Sequence, residues 1–553
     1  MKNPPNDFNS TNAGDSKLTV YGSRAEADNY VFIPAAGGDA FADDAPADHG
    51  LSRELGLLDT TMIVAGSMIG SGVFIVSADM ARYLGGSGWL MLGWLVTGLI
   101  TIGGALSYGE LAAMMPHAGG QYLFLKESYS PLWGFLFGWT NILVIKTGSI
   151  AAVGTAFAKY FGELVPWASP TSWVVQPIVL SDSYAVSLST QQLTAIVVIA
   201  VLTWINMRGV RLAKLVMNSF TFTKTAGLIV LAALGLGMYL FSADAGTGLQ
   251  NAWARRDTIP IVPDFPWLSS TSAQAGLAGL FVAFCLAQVG SLFAADAWAD
   301  VSFTAAESKN PRRDIPLAMV GGAGLVVGLY MLTNLAYVLL LPFDRIQNAP
   351  DDRVATAALE QVFGGVGAVI MAVMIMISTF GCNNGMILTG ARVYYAMARD
   401  GLFFRATGKL NAKRVPAIGL AVQGVWSVML VLPRTRIRDA GGNVMVDPAT
   451  GVEQFGNLYS ALLDYVIFAQ LLFYVLTVVG LFVLRAKRPD AVRPYRAWGY
   501  PIVPALYVVA AATIMLVMLA YKTQTTWPGL VIVLSGIPAY AIWKWRGRAP
   551  TAD

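Results

Sequence analysis

The sequence predicts an all-α, polytopic membrane protein of about twelve transmembrane helices, and three observations carry that prediction. Of the 553 residues, 55% are hydrophobic and only 13% charged, with a mean hydropathy of +0.56; a soluble chain carries about 25% charged residues. The remaining charges sit between apolar runs long enough to cross a bilayer, which takes about 20 residues. Lys and Arg crowd into alternate connections, the bias that fixes orientation. The net charge of +4 therefore reflects loop bias. With no basic–aromatic cluster, no nucleic-acid partner is expected.

Taken in order, residues 1–50 are polar, rich in Asp, Ala, Gly and Asn, and read as a disordered cytoplasmic tail without a cleavable signal peptide. The apolar spans then run roughly over 57–83, 88–115, 131–163, 190–208, 213–241, 274–303, 314–342, 364–398, 415–433, 457–485, 501–521 and 526–545. Spans longer than the bilayer requires allow tilt or a break. Two shorter pieces, 117–129 and 351–363, read as interfacial. With the N-terminus inside, inner connections carry Arg208, Arg211 and Lys214, then Lys309, Arg312 and Arg313. Further inner connections carry Arg405, Lys409, Lys413 and Arg414, then Arg485, Lys487, Arg488, Arg493 and Arg496, whereas 164–189 has no Lys or Arg. Arg434, Arg436 and Arg438 fall outside and run against the trend. The expected location is the cytoplasmic (inner) membrane, multi-pass, with both termini cytoplasmic.

Composition narrows the chemistry. Cys285 and Cys382 both fall within apolar runs and read as helix-packing residues rather than redox or metal ligands. The only histidines are His49 and His117, so neither a metal site nor a cofactor is expected. GxxxxGK[ST] is absent, which disfavours ATP as the energy source. The spans offer no nucleophile–base pair for an integral membrane enzyme and no repeated filter for a channel.

Two spans are interrupted. VAGSMIGSGVF, Val64–Phe74, places Gly66, Ser67, Gly70, Ser71 and Gly72 inside an apolar run. Each Gly weakens a helix by about 1 kcal/mol relative to Ala, and Ser adds competing local hydrogen bonds. Either the helix breaks near Gly70–Gly72 and lines a cavity with free N–H and C=O groups, or small residues permit a close helix crossing. In the sixth span SLFAADAW, Ser291–Trp298, repeats the interruption and adds Asp296. An intramembrane carboxylate marks a functional site by default; the alternative is that Asp296 caps a second half-helix near the inner interface. Interruptions in corresponding spans of two five-span halves are the mark of an inverted-repeat transporter.

Here the residues resemble a family. GSMIGSGVF and SLFAADAW followed by FTAAESKNPRRDIPLAM are similar to the first and sixth helices of the amino acid–polyamine–organocation superfamily of permeases. YGELAAMMPHAGGQYLFLKE, STFGCNNGMILTGARVYYAMARDGLF (from Ser378) and RPYRAWGYPIVP complete five collinear motifs. The resemblance covers about residues 51–521 and is strongest to the L-type amino-acid transporters and their bacterial relatives. It implies a five-plus-five inverted repeat with two added C-terminal helices: a transport core over 51–485 and helices eleven and twelve with a short tail over 486–553. It implies secondary transport of an amino acid by alternating access, and no enzyme activity. A polyamine or cationic amine is the alternative cargo, and a channel is a remote one.

The resemblance also assigns roles. Backbone amides around Ser71 and Gly72 receive the substrate carboxylate, and carbonyls near Met68, Phe293 and Ala294 receive the α-ammonium, with Ser67, Gly70, Ala295 and Asp296 completing the site. Phe293 matches the family's aromatic gate. The family often has an aromatic where Ala295 stands and Asn where Ala299 stands, so side-chain contacts to substrate differ here. Lys224, about three turns into the fifth span, either snorkels to the inner surface or, as the resemblance implies, replaces a sodium ion between helices one and eight. On the second reading transport is sodium-independent, running by proton symport or exchange. Lys146 needs an anion, for which Asp296, Glu110 or a substrate carboxylate are candidates. Arg392 and Asp464, within or near spans eight and ten, each read as part of a structural charge pair or as an interface position. The expected partners are an amino acid, possible coupling protons and the lipid bilayer; with no Cys in 164–189, no disulfide-linked accessory chain is expected.

Overall fold

The computed structural model describes residues 50–182, 184–241, 249–254, 277–436, 444–446, 453, 455–457 and 459–546. Residues 1–49 of the tail predicted over 1–50, and Arg438, lie outside the described residues. The first span is two helices, α1 (Leu57–Met68) and α2 (Gly72–Tyr83), bent by 42° across Ile69–Ser71. Then come α3 (Ser87–Met114), the short α4 (Gln121–Ser128), and a third span made of α5 (Pro131–Thr140), a π turn (Asn141–Ile145) and α6 (Lys146–Leu164). Strands β1 (Trp173–Val179) and β2 (Tyr184–Ser189) lead to α7 (Thr190–Met207) and α8 (Val210–Phe241). The second half opens with α9 (Leu277–Ala294) and a 3₁₀ segment (Asp300–Glu307), followed by α10 (Pro311–Leu340). The short α11 (Phe343–Gln347) and α12 (Val354–Phe363) precede α13 (Gly365–Arg399) and α14 (Ala417–Val431). After β3 (Pro433–Arg436) and β4 (Phe455–Asn457), α15 (Tyr459–Lys487), α16 (Ile502–Tyr521) and α17 (Thr523–Arg546) complete the chain.

Among the described residues, ten helices are long and apolar enough to cross a membrane and the bent α1–α2 pair makes an eleventh. The ninth span, α14, has only 15 residues, about 22 Å at 1.5 Å per residue. Its C-terminal end is satisfied by a neighbouring span. Ser189 and Gln192 cap α7 reciprocally, Gln192 N–H to Ser189 Oγ at 3.2 Å and Ser189 N–H to Gln192 Oε1 at 2.8 Å. The Gln192 amide then donates to Val431 O and Leu432 O at 2.8 and 3.0 Å, satisfying the end of α14 where the chain turns into β3. The interfacial pieces expected at 117–129 and 351–363 are α4 and α12.

Packing follows the two-halves pattern. α2 lies on α9, α3 on α10, α6 on α13 and α7 on α14, so spans one to four each pack on the span five places later. α1 is enclosed by α8, α10 and α13. At the periphery, α16 and α17 expose Ile502, Leu506, Val509, Leu516, Val531 and Leu534, an apolar surface suited to lipid.

The four strands form one antiparallel sheet in the order β1-β2-β3-β4. The sheet joins the connection between spans three and four to that between nine and ten, which puts both on one membrane face. It also accounts for two of the three arginines that run against the charge bias, Arg434 and Arg436. Arg434 is buried, donates to Ser187 and Ser189 at 3.3 and 2.9 Å, and lies 5.5 Å over the Trp173 ring. Burial lowers its guanidinium to about 10, still charged at neutral pH. Arg436 pairs with Glu453 at 2.5 Å. These are folded structural arginines, not free loop charge.

Candidate functional site

The site forms where the two helix breaks meet. α1 stops at Met68 because Ile69 leaves helical geometry (φ −74, ψ 91), and α2 restarts at Gly72. Gly72 permits more than a turn: a Cβ there would lie 2.5 Å from Ala294 Cβ and 2.8 Å from Ala294 Cα. Gly66 is equally tight, with Met217 Sδ and Thr221 Oγ1 at 2.3 and 2.4 Å from a would-be Cβ. Broken helix and close crossing are therefore both true of this segment.

In the sixth span α9 ends at Ala294, the next residues turn, and the chain resumes as the 3₁₀ segment at Asp300. Ala297 holds a left-handed φ of 70, a conformation that costs a residue with a Cβ about 1–2 kcal/mol. Trp298 beside it is wedged between Tyr108 and Tyr474, with ring centroids 4.9 Å from each.

The carbonyl ends of both breaks share one partner that the sequence does not single out. Tyr330 of α10, fully buried, sends its hydroxyl toward both Met68 O and Ala294 O at 2.9 Å. One side chain thus spans the carbonyl ends of both breaks. Each carbonyl keeps a second lone pair, so both can still accept from an ammonium group. Ser378 of α13 donates toward Ile69 O and Gly70 O at 3.1 and 2.8 Å, and Cys382 Sγ lies 2.9 Å from Ser67 O. On the other side of the break, the first amides of α2 have no carbonyl one turn behind them and sit at the positive end of the helix dipole. The Phe74 N–H turns back to Ser71 O at 3.1 Å.

Lys224 does not snorkel. Its ammonium is completely buried and donates to Gly66 O at 2.5 Å, Ile69 O at 2.6 Å and, more weakly, Ser378 O at 3.4 Å. A cation therefore rests on the negative, C-terminal end of α1 and reaches α13. The acceptors are Gly66 and Ile69 in the first span and Ser378 in the eighth.

The other expected residues divide. Ser67, Met68, Gly70, Ser71, Gly72 and Ala294 come together at the breaks. The Ser67 hydroxyl, buried without a hydrogen-bond partner, faces away, toward the Gly385 backbone of α13. Phe293 is half-buried at the end of α9 and its carbonyl takes the Asp296 N–H at 3.2 Å. Ala295 and Asp296 turn into a small separate cavity lined by Thr101, Gln470, Tyr474 and Tyr507. Asp296 Oδ1 accepts from the Tyr474 hydroxyl at 2.7 Å. It does not cap the second half-helix, whose first residue is Asp300.

Lys146 pairs with neither Asp296 nor Glu110. Its ammonium lies 2.5 Å from Asp300 Oδ2. Glu110 is committed to Arg485 at 2.6 Å, Arg493 at 3.2 Å and the Ala497 N–H at 2.7 Å. Arg392 forms a fully buried pair with Glu307 at 2.9 Å, and Asp464 pairs with Lys522 at 3.0 Å, both in the structural roles expected. Tyr330 and Asp300 are the residues that nothing along the chain singles out. A tyrosine in an apolar helix looks like packing, and Asp300 lies close enough to Asp296 to pass as the same polar break.

Comparison with known proteins agrees with this architecture. The sequence profile of the amino acid permease family matches residues 55–539. The serine/threonine exchanger SteT of Bacillus subtilis is 27% identical, over 89% of this chain and 97% of that protein. The human large neutral amino acids transporter small subunit 2 is 28% identical, over 89% and 80% of the two chains. The mouse b(0,+)-type amino acid transporter 1 is 26% identical, over 89% and 88%. A profile match that runs from the start of α1 into α17, over a helical body with interruptions in its first and sixth spans, places this multi-pass membrane protein in the amino acid permease family, whose business is amino acid transport.

Proposed function

We propose that the protein carries neutral amino acids across the cytoplasmic membrane by alternating access, without sodium. The substrate carboxylate sits on the first amides of α2 around Ser71 and Gly72, and its α-ammonium on the carbonyls of Met68, Phe293 and Ala294. Phe293 closes over it. The observation that carries the sodium-free part is Lys224, whose ammonium already neutralises the carbonyl end of α1 between spans one, five and eight. A fixed cation at that point leaves no electrostatic need for a bound metal ion. Exchange is favoured over net uptake by likeness to a serine/threonine exchanger, and neutral cargo by likeness to large neutral amino acid transporters. Asp296, which would recommend a cationic amine, is turned onto Tyr474 instead. The transport core spans 51–485, with α16 and α17 flanking it, and the Lys/Arg-rich connections face the cytoplasm.

The test is exchange of radiolabelled amino acids by purified protein in proteoliposomes, in sodium or choline medium, preceded by a binding screen of the twenty amino acids and putrescine. Equal exchange of a neutral amino acid in both media is expected. Selective binding of putrescine, or a strict sodium requirement, would overturn the reading.

A further inference from the structure

We propose that Lys146 and Asp300 form the closure of the pathway toward the positively charged face: an ammonium–carboxylate pair that must separate before the site at the two breaks can open on that side. The proposal rests on the alternating-access reading above. Both side chains are almost wholly buried, at 5% and 2% exposure, with Nζ 2.5 Å from Oδ2. Thr389 Oγ1 lies 3.3 Å from the same carboxylate oxygen, and the Phe303 ring is 5.7 Å from the ammonium. Three spans meet in this contact: the third through Lys146, the sixth through Asp300 and the eighth through Thr389.

Its depth can be read along α13. Cys382 touches the break at Ser67 O. Thr389 is seven residues further on, about 10 Å at 1.5 Å per residue. Arg392 with Glu307 follows, and α13 then leads into the connection carrying Arg405, Lys409, Lys413 and Arg414. The pair therefore stands between the site and that face.

Its mechanics follow from the break. Asp300 is the first residue of the 3₁₀ segment, uncoupled from α9 by the left-handed turn at Ala297. Lys146 follows immediately on the π turn of the third span, and such turns mark functional positions inside helices. At its far end the same 3₁₀ segment is tied to the start of α1: Leu55 N–H donates to Glu307 O at 3.0 Å, and Lys309 N–H to Leu55 O at 2.9 Å. Swinging this segment outward would carry both broken spans together and draw Asp300 off Lys146 and Thr389. Two opposite charges do not part in an apolar interior, because each would be left buried and uncompensated. They part only as water enters, so the contact is either made and dry or broken and wet. That is a two-state closure.

Cys382 reports on it. In a Cys285→Ala background it is the sole thiol. Its alkylation by a charged, membrane-impermeant maleimide is measured in inverted and right-side-out membrane vesicles holding the full-length protein. Lys146→Met and Asp300→Asn are expected to speed labelling in inverted vesicles alone by about tenfold, the population ratio that follows from 1.4 kcal/mol. The exchanged pair Lys146→Asp with Asp300→Lys is expected to return the rate toward wild type. Wild-type rates in both single variants, equal acceleration from both faces, or a swap that restores nothing would each overturn the closure. If the single variants do not insert, Thr389→Val decides, since it strands no charge: faster labelling from the one face supports the proposal and an unchanged rate refutes it. Amino acid exchange is assayed in parallel; a wild type that exchanges nothing refutes the transport reading, while the Cys382 rates still judge the closure.

Discussion

Replacing Lys224 by Met is the most informative single perturbation of the site. Met keeps the stem length and removes only the charge and the donors. The ammonium makes two short charge-assisted hydrogen bonds, at 2.5 and 2.6 Å, and a third contact at 3.4 Å that is too long to count equally. At about 1.5–3 kcal/mol for a hydrogen bond to a charged group, the two short ones represent about 3–6 kcal/mol of gross attraction between α8 and the end of α1. The variant no longer buries an ammonium, which returns several kcal/mol of desolvation. It does leave Gly66 O without this donor, whereas Ile69 O still has Ser378 Oγ at 3.1 Å. One stranded carbonyl costs about 1–3 kcal/mol, and that net loss acts on the broken helix. The expected result is a protein that inserts but binds its amino acid poorly, with exchange reduced about tenfold to a hundredfold. The assay is proteoliposome exchange in sodium and choline, beside a thermal unfolding curve. Exchange at the wild-type rate in Lys224→Met would refute the idea that this cation organises the break. A strict sodium requirement in the wild type would refute the idea that it substitutes for a metal ion.

Tyr330→Phe removes the hydroxyl shared by Met68 O and Ala294 O, and is expected to lower substrate affinity while costing about 1–3 kcal/mol of stability; unchanged affinity in a binding titration would make Tyr330 simple packing. Gly72→Ala is expected to impair exchange on its own, because the new Cβ meets Ala294 backbone at 2.8 Å and overpacking of this kind costs about 1–3 kcal/mol. Gly72→Val, which adds a β-branch that resists the break, should abolish binding in protein that still inserts, and wild-type affinity there would sink the carboxylate assignment. Phe293→Ala is expected to reduce exchange more than it reduces expression or thermal stability. Equal exchange would leave Phe293 as a packing residue.

Much of the architecture was legible along the chain because the bilayer imposes a length and a polarity on every crossing. The spans, the two interfacial helices and both interruptions could be read from runs of apolar residues and from clusters of Gly and Ser. The break at Ile69–Ser71 falls where Gly70–Gly72 placed it, since helix propensity is a local property. The Lys224 ammonium on α1 came within reach only through the family resemblance, because the residues alone left snorkelling to the inner surface open. Arg434 could not be read correctly from charge counting alone: its loop looked misplaced until the sheet showed Ser187, Ser189 and Trp173 around it.

What the sequence by itself determined was the set of helices, the two places where they fail and the presence of intramembrane charges that needed partners. Only the tertiary structure decided which partners these were. Lys146 had three plausible anions and took a fourth, Asp300, 154 residues away. Asp296 pointed to the substrate by its position in the chain and faces Tyr474 in the fold. Tyr330 carried no signal at all, yet it joins both breaks. The physical reason is common to all three. Propensity and hydropathy act through neighbours in sequence, whereas a hydrogen bond depends on which faces of distant helices meet, and at a helix break a rotation of one residue sends a side chain to a different neighbour.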